Sequence, residues 1–256
     1  MAQIHAVPAF SDNYIWLLEN ADGTAFVVDP GDGDAVDDAL ADRNLRLAGI
    51  LITHHHFDHV GGVEMLKEKY GCPVWGPHNP ALPFIDHRLG EGDRVQAGDY
   101  SLDVIMVPGH TLDHIAYFRA APEPLLFCGD TLFAGGCGRI FEGDAPMMYT
   151  SLSRLAALPA ETAVYCAHEY TLANLAFANA AEPDNVALQQ RTAEAQSLRD
   201  RGLATVPSNI ALERATNPFL RPDSAGVRAA LQAAGHEARD DDVAVFAALR
   251  SWKDNF

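Results

Sequence analysis

Two things are scarce in this chain of 256 residues: cysteine and positive charge. Its four cysteines, Cys72, Cys128, Cys137 and Cys166, are scattered, with no C-x-x-C pair. That excludes a disulfide framework and reads as reduced thiols of a cytoplasmic protein. Lysine and arginine number 18 against 35 aspartates and glutamates, a net charge of −17. Nucleic acid and anionic membrane are therefore poor partners, and an anionic small molecule can bind only where basic residues collect locally. No apolar stretch approaches the ~20 residues that span a bilayer. Residues 1–7 hold no basic segment followed by a long apolar core, so no signal peptide is expected. There is no internal repeat and no low-complexity tract. What is present is a hydrophobic fraction of 48%, ordinary for a folded protein, in a chain long enough for one large domain or a domain with an appendage.

Hydrophobic periodicity predicts strands at 4–10, 14–19, 25–29, 47–53, 74–76, 101–107, 115–118, 125–128 and 163–167, and helices at 34–44, 60–70 and 145–158. From about Tyr170 the texture changes. Segments 172–181, 184–201, 208–215, 224–234 and 241–253 are rich in Ala, Leu, Gln, Glu and Arg, and read as helices. The expected organisation is an α/β domain over 1–170 and a helical region over 171–256.

The chemistry concentrates at residues 53–62, T-H-H-H-F-D-H-V-G-G, directly after the apolar run 47–52. His54, His56, Asp58 and His59 can each bind a metal. Imidazoles packed together must be neutral and hydrogen-bonded when desolvated and repel one another when protonated; a divalent cation removes both problems by taking the lone pairs. Three further apolar strands end in a candidate ligand: 104–109 leads to His110, 125–129 to Asp130 and 163–167 to His168. Strand ends at one sheet edge can converge. Seven donors are too many for one zinc and suit two metals sharing a bridging carboxylate. Asp130 is assigned as the bridge. His54, His56 and His110 complete the first site; Asp58, His59 and His168 complete the second. The imidazole-rich donor set favours Zn(II), with Fe or Mn as alternatives at the second, more oxygen-rich site.

His55 and Phe57 alternate away from the donors. His5, His78, His87 and His236 have no nameable partner and read as solvent-facing or packed. His114 stays outside the donor set. Gly61 and Gly62 read as positions of close backbone approach at a helix start. Cys128, Cys137 and Cys166 read as buried, inert thiols.

The H-x-H-x-D-H pattern with separate His, Asp and His strand ends resembles the metallo-β-lactamase superfamily, and within it the glyoxalase II family. The further matches are F-S-D-N-Y at 10–14, V-D-P-G at 28–31, P-G-H-T at 108–111, F-C-G-D-T-L-F at 127–133, G-G-C-G-R at 135–139, A-H-E-Y-T at 167–171 and the tail R-S-W-K-D-N-F at 250–256. The resemblance covers the whole chain. It implies an α/β, four-layer αβ/βα metallo-β-lactamase-like sandwich with a C-terminal helical region. It also implies hydrolysis of S-D-lactoylglutathione to D-lactate and glutathione, a step of methylglyoxal detoxification. Arg139, Tyr170, Arg250 and Lys253 match residues that hold the glutathione portion in that family, and Asp29 matches one that orients a ligating histidine. Arg250 and Lys253 lie three apart and share a helix face, which suits a local cationic clamp in an acidic protein. Where some members carry Tyr, this chain has Phe141, so a hydroxyl contact to glutathione is absent.

The expected mechanism follows from the metals. Bound water with a pKa near ~7 supplies a hydroxide bridging the two ions, which attacks the thioester carbonyl, with Asp58 steering it. One metal polarises the carbonyl, and no Ser or Cys nucleophile is needed. A glutathione thioester is the expected small-molecule partner, and the chain is expected to act as a monomer. The rival readings are a mononuclear-iron persulfide dioxygenase of the same superfamily and a non-catalytic metal-binding protein.

Overall fold

The computed structural model describes residues 3–236 and 241–256, and the chain divides into two units, Met1–Val107 with Asp113–Gly129 and Pro108–Leu112 with Asp130–Phe256. The α/β class expected from periodicity is what is observed.

The first unit opens with β1 (Gln3–Ala9), β2 (Asn13–Glu19) and β3 (Thr24–Val28), an antiparallel meander. Strand β1 is an edge and exposed or only partly buried over its first four residues; β2, paired on both sides, is buried along nearly all its length. This is why Tyr14–Glu19 reads as a continuous apolar run rather than an alternating one. The turn into β3 is made by Asp22, whose carboxylate accepts from the Thr24 backbone N–H at 2.9 Å. Helix α1 (Gly33–Arg43) follows, capped by the Asp32 side chain on the Ala35 N–H and closed by Asn44 in the left-handed conformation. Next come β4 (Arg46–Leu51), α2 (Phe57–Val60), α3 (Val63–Tyr70), β5 (Val74–Pro77) and β6 (His87–Leu89). Strands β3 to β6 run parallel, so the sheet is mixed, in the order β1-β2-β3-β4-β5-β6. Its core is one cluster that includes Val7, Leu17, Val27, Leu40, Ile50 and Leu66. Burying each aliphatic side chain of this kind contributes about 1.5–3 kcal/mol. A second ladder, β7 (Arg94–Ala97), β8 (Tyr100–Met106), β9 (Ile115–Arg119) and β10 (Leu125–Gly129), is antiparallel throughout.

The second unit holds a two-stranded hairpin, β11 (Leu132–Phe133) and β12 (Gly136–Cys137), then α4 (Ala145–Ala156) and β13 (Ala163–Cys166). Helices α5 (Thr171–Ala181) and α6 (Val186–Asp200) follow, then β14 (Ser208–Asn209) paired with β13, α7 (Ile210–Thr216), a 3-10 turn at Pro218–Leu220, α8 (Ala225–Ala233) and α9 (Asp242–Asp254). Among the described residues no helix is long and apolar enough to cross a membrane. All four cysteines are free and buried.

Strands β6, β7, β11 and β12, of two to four residues each, were not expected, and two expected helices differ. The helix expected at 60–70 is broken into α2 and α3 at Gly61-Gly62, where the chain passes the loop after β3 too closely for side chains. A Cβ on Gly62 would lie 2.4 Å from the Gly33 nitrogen and 2.7 Å from the Pro30 oxygen. The segment 208–215 begins as a strand, because Ser208 and Asn209 pair with β13; the helix starts at Ile210, with the Asn209 side chain capping Leu212 N–H at 2.8 Å. His5 also gains a partner that sequence did not name: its Nε2 lies 2.7 Å from the Glu19 carboxylate. His87 stacks on Trp75 with ring centroids 4.9 Å apart.

The replacement Gly62→Ala is expected to lower unfolding free energy by about 1–3 kcal/mol, because backbone rather than a flexible side chain must move. Urea denaturation measures this, and a loss below about 0.5 kcal/mol, the range of an ordinary surface change, would refute the packing argument.

Candidate metal centre

In the first unit the donors follow the end of β4. Thr53 leaves the strand with its N–H on Asp29 Oδ1 at 2.7 Å and its hydroxyl on Asp29 Oδ2 at 2.6 Å. Residues 54–56 have no regular structure, and His56, extended, takes the N-cap position of α2, so that Asp58 and His59 occupy the first helical turn, where a carboxylate is favoured. The tautomers follow from the partners. The Thr53 hydroxyl spends its one proton on Asp29, so its contact with His54 Nδ1, at 3.1 Å, is an accepted bond from an Nδ1–H. His59 likewise donates Nδ1–H to Asp29 Oδ2 at 3.0 Å. In the neutral form of both rings this puts the lone pair on Nε2, the arrangement a metal requires. His54 Nε2 lies 3.2 Å from His56 Nδ1, and His59 Nε2 lies 3.4 Å from Asp58 Oδ2. A lone pair facing a carboxylate oxygen at that distance repels unless a proton or a cation lies between them. His54 and His59 are fully buried, with ring centroids 4.1 Å apart. Donor atoms of Asp29, His54 and His59 all lie within 4.8 Å of one another.

Three residues here were not singled out as functional from sequence. Asn13, 7% exposed, donates to Asp58 Oδ2 at 3.0 Å. Thr53 fixes the His54 tautomer. His114, excluded on sequence, is fully buried and stacks on His54 at 4.5 Å and 15°. The available signal for Asn13 was its place in the F-S-D-N-Y segment; for His114 it was a second imidazole four residues after His110. His55 does turn away, to Asp113 at 2.9 Å.

In the second unit the centre is Asp130. His110 Nε2 faces its Oδ2 at 3.5 Å, and His168 Nε2 faces its Oδ1 at 3.4 Å. One imidazole thus addresses each carboxylate oxygen. His110 donates Nδ1–H to the Arg139 carbonyl at 2.7 Å, which leaves its Nε2 bare as well. Gly138 has to be glycine, since a Cβ there would fall 1.9 Å from the Asp130 carbonyl oxygen. His168 is stacked on Tyr170 at 4.6 Å and 5°. In both units the donor chemistry fits divalent metal: ring nitrogens facing another acceptor atom, and carboxylates with oxygens turned toward them.

A cavity of about 300 Å³ opens beside Asp130, within the size range of small-ligand sites. Asp130 and His110 form one part of its lining; Phe133, Phe141 and Tyr170 supply aromatic faces. Arg139, Arg250 and Lys253 supply positive charge. Arg139 is largely exposed and lies 3.4 Å from Asp254. Arg250 is buried: Nη1 donates to the Cys137 carbonyl at 3.1 Å, Nη2 to Asp254 at 3.0 Å, and the guanidinium lies 5.1 Å over Phe219. Its Nε is buried with no hydrogen-bond partner. Lys253 donates to the Ala173 carbonyl at 3.1 Å, and burial holds its pKa below the usual lysine value. Cys137, Phe133 and Asn174 complete the wall and were not assigned a role from sequence.

A profile of the metallo-beta-lactamase superfamily matches residues 9–168, and one of the hydroxyacylglutathione hydrolase C-terminus matches residues 169–256. Hydroxyacylglutathione hydrolases of Pseudomonas aeruginosa (strain LESB58) and Chromohalobacter salexigens are 55% and 51% identical to the chain, each over 100% of both sequences. Among solved structures, ETHE1 from Myxococcus xanthus superposes with a TM-score of 0.66 at 25% identity, covering 99% of this chain and 98% of that one. TTHA1623 in a di-iron-bound form superposes with a TM-score of 0.61 at 26% identity, covering 85% of this chain and all of that one.

Replacing Asp29 with Ala removes the acceptor that holds both Thr53 and His59. Metal affinity, measured by competition with a chelator, is expected to fall roughly ten- to a hundredfold. Unchanged affinity would mean that the imidazole is oriented without it.

Proposed function

The chain belongs to the hydroxyacylglutathione hydrolase family of the metallo-β-lactamase superfamily, and from that membership we propose that it hydrolyses S-D-lactoylglutathione to D-lactate and glutathione with two bound divalent metals. The observation that carries the reading is Asp130, addressed on its two oxygens by His110 and His168. In this reading His54, His56 and His110 serve one metal, Asp58, His59 and His168 the other, and Asp130 both. Zn(II) is the assignment, with Fe or Mn at the second site; a di-iron form is on record for one structural relative.

When bound, such ions supply water acidified to a pKa near ~7 and a Lewis acid for the carbonyl. The remaining work falls to the chain. Asp58, steadied by Asn13, orients the attacking oxygen. Asp29 holds the His59 ring in register. Arg139, Tyr170, Arg250 and Lys253 hold the glutathione portion, whose carboxylates find cations in a cavity that the acidic surface does not otherwise provide. Phe141 adds an aromatic face, 61% exposed, without a hydroxyl. The leaving thiolate, with a solution pKa of about 8.5, departs without a protein acid. The buried thiols do not compete as nucleophiles: burial raises the pKa of Cys137 and pushes that of Cys166 up to about 12. We assign catalysis to residues 1–170 and substrate holding chiefly to the helical region 171–256. Four free thiols suit a reducing compartment, hence the cytoplasm, and the working unit is taken as a monomer.

The test is turnover of S-D-lactoylglutathione by protein of known metal content. Two metals per chain, activity lost on chelation and regained with two equivalents are expected. Metal-replete protein without thioesterase activity sinks the reading; one iron per chain with oxygen uptake on glutathione persulfide replaces it with the dioxygenase.

A pH effect follows from Lys253. Burial disfavours its charged form, so the cation is lost at lower pH than in an exposed lysine. KM is expected to rise with pH before the ordinary lysine range is reached, and Lys253→Arg to move that rise to higher pH. A profile identical in the two proteins would remove Lys253 from the clamp.

A further inference from the structure

We propose that Glu213, a residue far from the donor atoms in sequence, is a positioning residue for the glutathione pocket, acting through the hairpin β11–β12. The proposal rests on the reading of that cavity given above and assigns it a support that neither the motifs nor the family relationship names.

The hairpin is two residues per strand, too short to hold itself; an isolated pair of this size is not stable in water. Yet Phe133 and Cys137, one in each strand, form part of the cavity wall, and Arg139 follows directly. Its backbone groups are instead satisfied from outside. Gly135 N–H donates to Glu213 Oε2 at 2.9 Å. Asn217 Nδ2 donates to the Gly136 carbonyl at 2.9 Å, to the Phe133 carbonyl at 3.3 Å and to Glu213 Oε2 at 3.0 Å. Asn174 Nδ2 donates to the Ala134 carbonyl at 3.2 Å.

Glu213 is fully buried and is itself fixed on its other oxygen. Oε1 accepts from Arg191 Nη2 and from the Ser208 hydroxyl. Arg191, 6% exposed, also donates to the Thr216 hydroxyl at 2.7 Å. A buried ion pair contributes little net stability compared with an apolar pair of similar size. Its distinctive property is direction: it holds Oε2 at one point, and that point is where the hairpin N–H must end. Gly135 has φ +71, and a Cβ there would lie 2.9 Å from the end of the Leu175 side chain, so the turn packs against α5. Beyond it, Gly138 N–H is tied separately to the Thr131 carbonyl at 3.1 Å. The Arg139 carbonyl that orients His110 therefore lies past a second anchor. Loosening the hairpin is expected to disturb the substrate wall more than the metal ligands.

The test uses full-length, metal-loaded protein. Glu213→Gln keeps the shape but gives up one acceptor. Asn217→Ser keeps an oxygen able to cap the Phe219 N–H while no longer reaching the hairpin carbonyls. Both variants are expected to retain two metals and a kcat within about threefold of the parent. Losing the net contribution of a hydrogen bond or two corresponds to roughly a tenfold rise in KM, and in Kd for S-hexylglutathione, which has no thioester to cleave. Hydrogen exchange should accelerate at 133–137 and not along the middle of α5. A purely structural role predicts a lowered Tm with KM, Kd and exchange at 133–137 unchanged in whichever variant folds, and that result overturns the proposal. The exchange readout needs no substrate, so it stands even if the parent protein fails to hydrolyse the thioester, an outcome that would sink the reading of the cavity instead.

Discussion

Asp29 is the constraint on which the first unit depends. It ends β3 with φ 54, a left-handed conformation that costs a residue with a side chain about 1–2 kcal/mol. Its carboxylate, 4% exposed, takes the Thr53 N–H, the Thr53 hydroxyl and the His59 ring. Three donors offset the cost of burying the group, two from Thr53 at the start of the donor loop and one from His59 in α2. Thr53, so held, passes its carbonyl to the Ile115 N–H at 2.9 Å, and Tyr117 donates its hydroxyl to the neighbouring Ile52 carbonyl at 2.8 Å. Tyr117 stays a donor because its burial, and then the charge of Asp29, hold its pKa well above the usual phenol value. One strained aspartate thereby sets the end of β4, the seat of β9 and the tautomer of two imidazoles.

The second unit solves the same problem with different residues. A backbone carbonyl, that of Arg139, does for His110 what Asp29 does for His59, and the Gly138 N–H bond to the Thr131 carbonyl anchors the chain just before it. Glu213 and Asn217 satisfy that hairpin where strand pairing cannot. Buried carboxylates in this protein are thus used to place backbone and rings rather than to add stability.

The donors were legible in sequence because they sit at strand ends, where an apolar run stops abruptly at His or Asp. The long helices and central strands were legible for the related reason that burial repeats with a fixed period over many residues. What was not legible had no period. Strands β11 and β12 have two residues each, and the break between α2 and α3 depends on the loop after β3, whose proximity to Gly62 is visible only in three dimensions. Asn13 and His114 were missed because a single polar residue in an apolar stretch says nothing of what it faces. Glu213 and Arg191 look like solvent-facing charges of helices, and only their full burial reverses that. The family resemblance supplied Arg250 and Lys253, but not the fact that Arg250 is mostly committed to the protein itself.

That commitment bears on how an acidic protein holds an anionic ligand. At long range a charge of −17 opposes approach, but screening at physiological salt confines exposed charges to about 8 Å. Inside the cavity the local balance rules. Arg250 is already bonded to Cys137 and Asp254, so its charge is fixed in direction and its unused Nε is the group left to offer. Asp254 also lies beside Arg139, so one carboxylate restrains two cations. Under the proposed function, a ligand carboxylate that replaces this internal partner meets one guanidinium, that of Arg250, already buried and held, and the ordering cost of binding falls. Affinity in such a site follows from where α9 and the hairpin hold their groups, to within fractions of an ångström, far more than from the net charge of the chain.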